Sequence, residues 1–201
     1  MTEPTVLIIA CGALAKEIVE LQRLNGWSHI RVQCLPAELH NRPEKIPAAV
    51  EAAIEEYRED YDQLFVAYAD CGTGGALDRL LQRYGIERLP GAHCYEFYAG
   101  SETFAALTER EPASFYLTDF LARHFDRLVK KGLGLDRHPE LMPEYFGNYK
   151  RLVYLSQAVS AQLETAAREH ADYLGLAFEH RHTGLGPVGQ NLGEHLIQWR
   201  N

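Results

Sequence analysis

Three of the four cysteines in this 201-residue chain stand where a sulfur could do chemistry. Cys11 follows the apolar run TVLIIA (Thr5–Ala10), Cys71 follows LFVAY (Leu64–Tyr68) by way of Ala69 and Asp70, and Cys94 closes RLPGAHC (Arg88–Cys94). In an open parallel sheet the carboxyl ends of the strands lie along one edge, where ligands bind. Cysteines remote in sequence can therefore converge there. Thiolates, with an added imidazole, select zinc or iron–sulfur chemistry. Two imidazoles are candidates: His40 in PAELHNRP, and His93 beside Cys94. The fourth cysteine, Cys34, ends the run IRVQC and reads as a packing residue. No CxxC pair is present, which favours free thiols, metal ligands or catalytic groups over disulfides.

The segment YADCGTGGALDRLL (Tyr68–Leu81) adds a glycine turn between a strand and a helix. Cys71, with Asp70 beside it, is a candidate catalytic nucleophile with His40 or His93 as base, the metal-free alternative to a metal centre. Gly72, Thr73, Gly74 and Gly75 could offer backbone N–H groups and a helix N-terminus to an anionic cofactor. The run is neither a Walker A loop, since no lysine follows, nor a full GxGxxG fingerprint. The same helix end would lower the pKa of Cys71, while Asp70 would raise it unless turned away. Further along, His180 and His182 in EHRHTG alternate, so in a strand they share a face and could bind a metal; as loop residues they would simply be solvated. The other histidines, including His195, have no partner at a telling spacing.

These residues need elements to hold them. Thr5–Ala10, Ile30–Cys34 and Leu64–Tyr68 read as buried strands, each followed by helical patterning: Ala13 to Leu24 closed by Asn25-Gly26, Ala48–Tyr57 opened by Pro47, and Ala76–Tyr84 closed by Gly85. Leu35–Pro47 is proline-rich and reads as a loop, and Arg88–Cys94 as a fourth, weaker strand or extended segment. Phe115–Lys131 reads as a helix and Glu140–Tyr149 as a short one. Arg151–Leu155 and Leu176–Glu179 read as strands around the alanine-rich helix Ser156–Leu174, and a loop at Thr183–Gly189 leads into a last helix. The alternation predicts an α/β fold, a doubly wound and mainly parallel sheet with additional C-terminal helices. The simplest organisation is a single domain over 1–201 with a helical insertion at about 101–150.

Composition narrows the function classes. A hydrophobic content of 46% and a charged content of 24% are those of an ordinary globular protein. A net charge of −8, with no basic cluster beyond Lys130-Lys131, argues against a nucleic-acid partner. No apolar run approaches the roughly eighteen residues of a membrane span. The acidic start Met1–Pro4 and the short apolar run behind it do not fit a signal peptide, so the expectation is cytoplasmic.

ACGAL (Ala10–Leu14), LPAELHNRPEKI (Leu35–Ile46), AYADCGTGG (Ala67–Gly75) and LPGAHCYEFYAG (Leu89–Gly100) together resemble the DUF1638 family. The resemblance covers most of the chain and is strongest over 5–120. It implies Cys11, His40, Cys71 and Cys94 as one metal-ligand set and leaves out Cys34. Many archaeal relatives carry aspartate where this chain has His93, so the resemblance does not imply His93 as an obligatory ligand. The resemblance also implies a setting in corrinoid-dependent methyl transfer, with a corrinoid protein or methyltransferase as partner, a small-molecule ligand, and the corrinoid held by the partner. A Cys/His-bound zinc would suit that setting by keeping a substrate thiol deprotonated. An iron–sulfur cluster on three cysteines is the competing cofactor. A non-catalytic role, docking on a methyltransferase through the acidic surface and the aromatic segment Tyr145–Tyr149, is the remaining alternative.

Overall fold

The computed structural model describes residues 5–198, with side chains up to residue 193. Met1–Pro4 and the side chain of His195 lie outside that description. The chain divides into two compact units, one built from residues up to Phe97 together with those from Val188 onward, the other from Tyr98–Pro187.

In the first unit the elements run β1 (Val6–Cys11), α1 (Ala15–Asn25), β2 (Ile30–Leu35), two 3₁₀ turns (Ala37–Asn41 and Pro43–Lys45), α2 (Ile46–Tyr57), β3 (Gln63–Ala67), α3 (Ala76–Tyr84), β4 (Glu87–Arg88) and α4 (Cys94–Ala99). The strands form one parallel sheet in the order β2-β1-β3-β4. Every residue of β1 is buried, as expected of a central parallel strand covered on both faces. Gly26 and Gly85 close α1 and α3 in the left-handed conformation, each returning its N–H to the last turn. The chain passes from β1 to β2 on one side and then to β3 on the other. The carboxyl ends of β1 and β3 therefore flank the point where strand order reverses, the usual ligand crevice of such a sheet.

The second unit holds α5 (Ser101–Arg110), β5 (Ser114–Thr118), α6 (Asp119–Phe125) running into a π-helical turn (Asp126–Lys131), a 3₁₀ turn (Pro139–Leu141), α7 (Met142–Phe146), β6 (Arg151–Ser156), α8 (Ala161–Leu174) and β7 (Ala177–His182). Its sheet is also parallel, in the order β5-β6-β7. Leu117, Phe125, Leu152, Tyr154, Leu163 and Leu174 belong to its core. The last helix is α9 (Gly186–Gln198).

The α/β class with parallel sheets and flanking helices is as the sequence predicts, but the strands fall into two sheets rather than one. Two further readings change. Phe115–Lys131 is not one helix: Ser114–Thr118 is a strand and the helix begins only at Asp119. Thr118 marks the change, its hydroxyl accepting from the Leu121 N–H at 3.4 Å as an N-cap, while the aromatic pair Phe115-Tyr116 precedes it. The segment 101–150 accordingly contains a strand and is not a purely helical insertion. Of Arg88–Cys94 only Arg88 pairs as strand, together with Glu87 before it, and Cys94 opens a helix. Among the described residues no helix is long and apolar enough to cross a membrane.

Candidate functional site

The register Ala10↔Ala67 between β1 and β3 puts Cys11 level with Tyr68, one residue past each paired alanine. Cys11 is buried at 1% exposure and Tyr68 is wholly buried. Gly12 turns the chain away beneath the end of β2, its N–H donating to the Leu35 carbonyl at 2.9 Å. The 3₁₀ turn that follows β2 brings His40 back over the same edge, with Nδ1 3.6 Å from Cys11 Sγ.

Beyond β3 the chain meets the loop that follows β4. The Asp70 N–H donates to the Gly91 carbonyl (3.2 Å) and the Cys71 N–H to the Ala92 carbonyl (2.9 Å). This pairing sets Cys71 Sγ 3.1 Å from Cys94 Sγ. The second loop is itself pinned by Arg88, whose guanidinium grips Asp78 (2.6 and 2.9 Å) and donates to the carbonyls of Leu89 (2.6 Å) and Gly91 (3.3 Å). Among the described residues Cys71 is the one non-glycine with positive φ, at 48°. A side chain in that region costs about 1–2 kcal/mol, and such strain collects where a group must be aimed.

The glycine turn owes its shape to Asp70. Its carboxylate accepts from the Thr73 hydroxyl (2.6 Å) and from the N–H groups of Gly75 (2.8 Å) and Gly74 (3.2 Å). The Thr73 hydroxyl, followed by those backbone donors, holds the Asp70 carboxyl below its ordinary range. Asp70 thus turns into its own loop and takes up the Gly74 and Gly75 N–H groups. A Cβ at Gly74 would meet no protein atom within 4 Å, and its φ of 60° is the backbone conformation that favours glycine there.

Charge in the cluster is divided unevenly. The Cys94 thiol donates to Cys71 and outweighs burial, and with His40 and the Cys94 N–H beside it the Cys71 thiol falls to about 5. Cys94, hydrogen-bonded to that thiolate and buried, is pushed well up. At His40 crowding opposes protonation, but hydrogen bonds to the Cys11 and Cys71 sulfurs raise it to about 10. As a residue His40 is exposed, so its neighbours crowd the ring without sealing it from water. The arrangement is a thiolate, a thiol and an imidazolium in contact, with Cys11 alongside.

Tyr68 and Arg88 escape sequence reasoning, Tyr68 because it reads as the last core residue of its strand. Burial first, and then the Cys11 sulfur, push its hydroxyl far above the ordinary tyrosine range. Yet that buried oxygen makes no hydrogen bond of proper geometry. Arg88 reads only as the first residue of a weak strand or extended segment, yet its side chain is just 15% exposed. Of the remaining candidates, His93 is exposed and Cys34 is exposed on β2 rather than packed inside. His180 and His182 stand on β7 in the second unit, where both meet Ser156.

Among the described residues no group of three or more His, Cys, Asp or Glu side chains stands in metal-holding geometry. The sulfur pair gives the physical reason. With zinc–sulfur bonds near 2.3 Å, tetrahedral ligands lie about 3.8 Å apart, wider than the 3.1 Å between Cys71 and Cys94.

A parallel sheet whose switch point gathers three cysteines, a histidine and a buried tyrosine defines an α/β protein with a thiol–imidazole site. Residues 34–192 match the family described as a protein of unknown function, DUF1638. The chain belongs to that family, and the match takes in His40, Cys71 and Cys94 while beginning after Cys11. No curated protein matches the chain.

Proposed function

We propose that Cys11, Cys71, Cys94 and His40 hold one metal ion, zinc by its ligand set, and that this centre activates a thiol in one-carbon, methyl-transfer metabolism. The observation that carries the reading is the arrival of four soft or borderline donors, from four separate segments, at one switch point. Opening the Cys71–Cys94 pair by roughly 0.7 Å gives the tetrahedral spacing. A rotation about Cα–Cβ at either residue can supply that movement. The unpartnered Tyr68 hydroxyl also fits, since a ligand on the ion would accept its proton.

A set of four donors closes the tetrahedron, so catalysis requires one of them to yield. His40, on an exposed turn, is the donor that yields; the three buried cysteines stay. The ion would then keep a substrate thiol as thiolate, while Tyr68 steadies that sulfur. The corrinoid-linked setting implied by the family resemblance would supply the methyl group from a partner corrinoid protein or methyltransferase. Reduced thiols of this kind suit the cytoplasm.

The test is elemental analysis with an absorption spectrum of anaerobically purified protein. Close to one zinc per chain, with a colourless protein, supports the reading. Iron with visible absorption would replace zinc by a cluster on the three cysteines. A chain that holds no metal after reconstitution overturns it. The 3.1 Å contact favours a second reading, a metal-free thiol enzyme with Cys71 as nucleophile. A metal-free chain that keeps full activity would establish that reading instead.

A further inference from the structure

The carboxyl end of the second sheet gathers a different set of ligating groups. In the β6–β7 register, Tyr154 pairs with His180 and Ser156 with His182. Strand alternation puts both histidines on one face. Ser156 Oγ lies 2.8 Å from His180 Nε2 and 3.0 Å from His182 Nδ1. The other nitrogen of His180, Nδ1, lies 3.4 Å from Glu164 Oε2 on α8. Glu164 can only accept, so a proton on Nδ1 would face it and leave Nε2 with its lone pair. The His180 ring is also stacked on Tyr154, with centroids 5.1 Å apart at 20°. Tyr154 is anchored in turn, its hydroxyl donating to the buried Asp119 at 2.7 Å.

A serine, a histidine and a glutamate in line could suggest an acyl-transfer triad. The backbone donors such a reaction needs are already used, however. The Gln157 N–H (3.3 Å) and the Ala158 N–H (3.0 Å) both donate to Asp119. A nucleophilic serine also needs one base, whereas this hydroxyl stands between two imidazoles, and Ser156 is only 2% exposed. Two convergent imidazole nitrogens, one backed by a carboxylate through its other nitrogen, are instead the pattern of metal-ligating histidines.

We infer that His180 and His182 form a second cation site, taking a borderline divalent ion of the zinc class through His180 Nε2 and His182 Nδ1. Ser156 Oγ is the third ligand, a neutral oxygen, and Glu164 orients His180 from behind. Two imidazoles with one hydroxyl suit zinc, nickel or copper better than magnesium or calcium, which prefer oxygen ligands. Both histidines are exposed, so the ion has a way in. With so few protein donors, a coordination position remains for water or a ligand oxygen.

The test is a zinc titration of the full-length, nitrogen-15-labelled chain followed through its imidazole nitrogens, which separates these histidines from His40. Before zinc is added, His180 should be protonated at Nδ1. On addition, His180 Nε2 and His182 Nδ1 should shift together, saturate, and return with a chelator. His182→Gln should abolish the His180 shift at the same zinc concentration. Glu164→Gln should weaken binding roughly tenfold while both ligands remain. The inference is overturned by a titration that moves only His40, by metal on His180 Nδ1, or by unchanged affinity in Glu164→Gln. Amide spectra identify any variant that has not folded, and the unsubstituted chain decides the question on its own.

Discussion

Cys71 is where three influences meet on one sulfur: the Cys94 thiol 3.1 Å away, the His40 imidazole, and the Cys94 backbone N–H. Its backbone is strained to aim it there. Cys34, by contrast, is exposed on β2 and does not take part in that contact. Cys71→Ser should therefore remove the metal, since a serine hydroxyl stays protonated and cannot replace a thiolate ligand, while the fold persists. Cys34→Ser should keep the metal and change stability by no more than about 0.5 kcal/mol, the usual range for surface substitutions. Elemental analysis and denaturant melts of the two variants check the pair, and equal metal loss in both would defeat the division of roles. Tyr68→Phe isolates the hydroxyl. Because the Tyr68 oxygen is buried without a properly formed bond, its removal should leave stability nearly unchanged or slightly improved. Thiol turnover should fall, which a comparison of kcat with the melting midpoint would reveal.

The strand ends were legible because Cys11 and Cys71 follow uninterrupted apolar runs, and such runs are what central parallel strands look like. Cys94 reads as the end of a weak strand or extended segment but opens α4, beside two loops tied together by the Asp70 and Cys71 amides, and backbone pairing between loops leaves no periodic trace. The same holds for Arg88, whose grip on Asp78 and on the 89–91 carbonyls leaves no mark until the loops are folded. The glycines divide along similar lines. Gly74 has a positive φ and open space, so Gly74→Ala should cost about 1–2 kcal/mol in stability and leave the metal in place. Gly12 has the opposite problem. A Cβ there would stand 3.0 Å from the Leu35 carbonyl, at the start of the segment that carries His40. Gly12→Ala should push that segment away from Cys11 and weaken metal binding several-fold. Metal affinity and thermal melts on both variants separate these effects, and the reverse ranking would mean that His40 is not held through Gly12.

At the scale of the whole molecule, each parallel sheet carries its own cluster of titratable groups, and solution conditions should act on the two units separately. A metal that binds only the folded chain stabilises it by mass action, and two of the donors proposed for the first unit, Cys11 and Cys71, lie at or just beyond the carboxyl ends of β1 and β3. A chelator should first deprotect those amides in hydrogen exchange. The second unit answers to acid through His170 on α8. This ring stacks on Phe125 at 4.0 Å and 8°, and its Nε2–H donates to the Ala122 carbonyl at 3.0 Å. Burial is the main cause that lowers its pKa; Lys130 adds to the effect, while the Ala122 carbonyl, Asp126 and Glu169 oppose it. The sign follows directly. Above the unfolded value of about 6.5 the ring is neutral in both states, and the second unit keeps its full stability. As pH falls below that value the unfolded chain takes the proton first, so stability declines until the folded ring protonates too. Protection of the β5, β6 and β7 amides, corrected for the intrinsic slowing of exchange in acid, should therefore fall between about pH 7 and pH 5. His170→Gln keeps an N–H donor for Ala122 but cannot titrate, so in that variant the loss of protection should be reduced while chelator sensitivity near β1 and β3 stays as it was. An acid response unchanged in His170→Gln would place the pH sensitivity of the second unit on some other group.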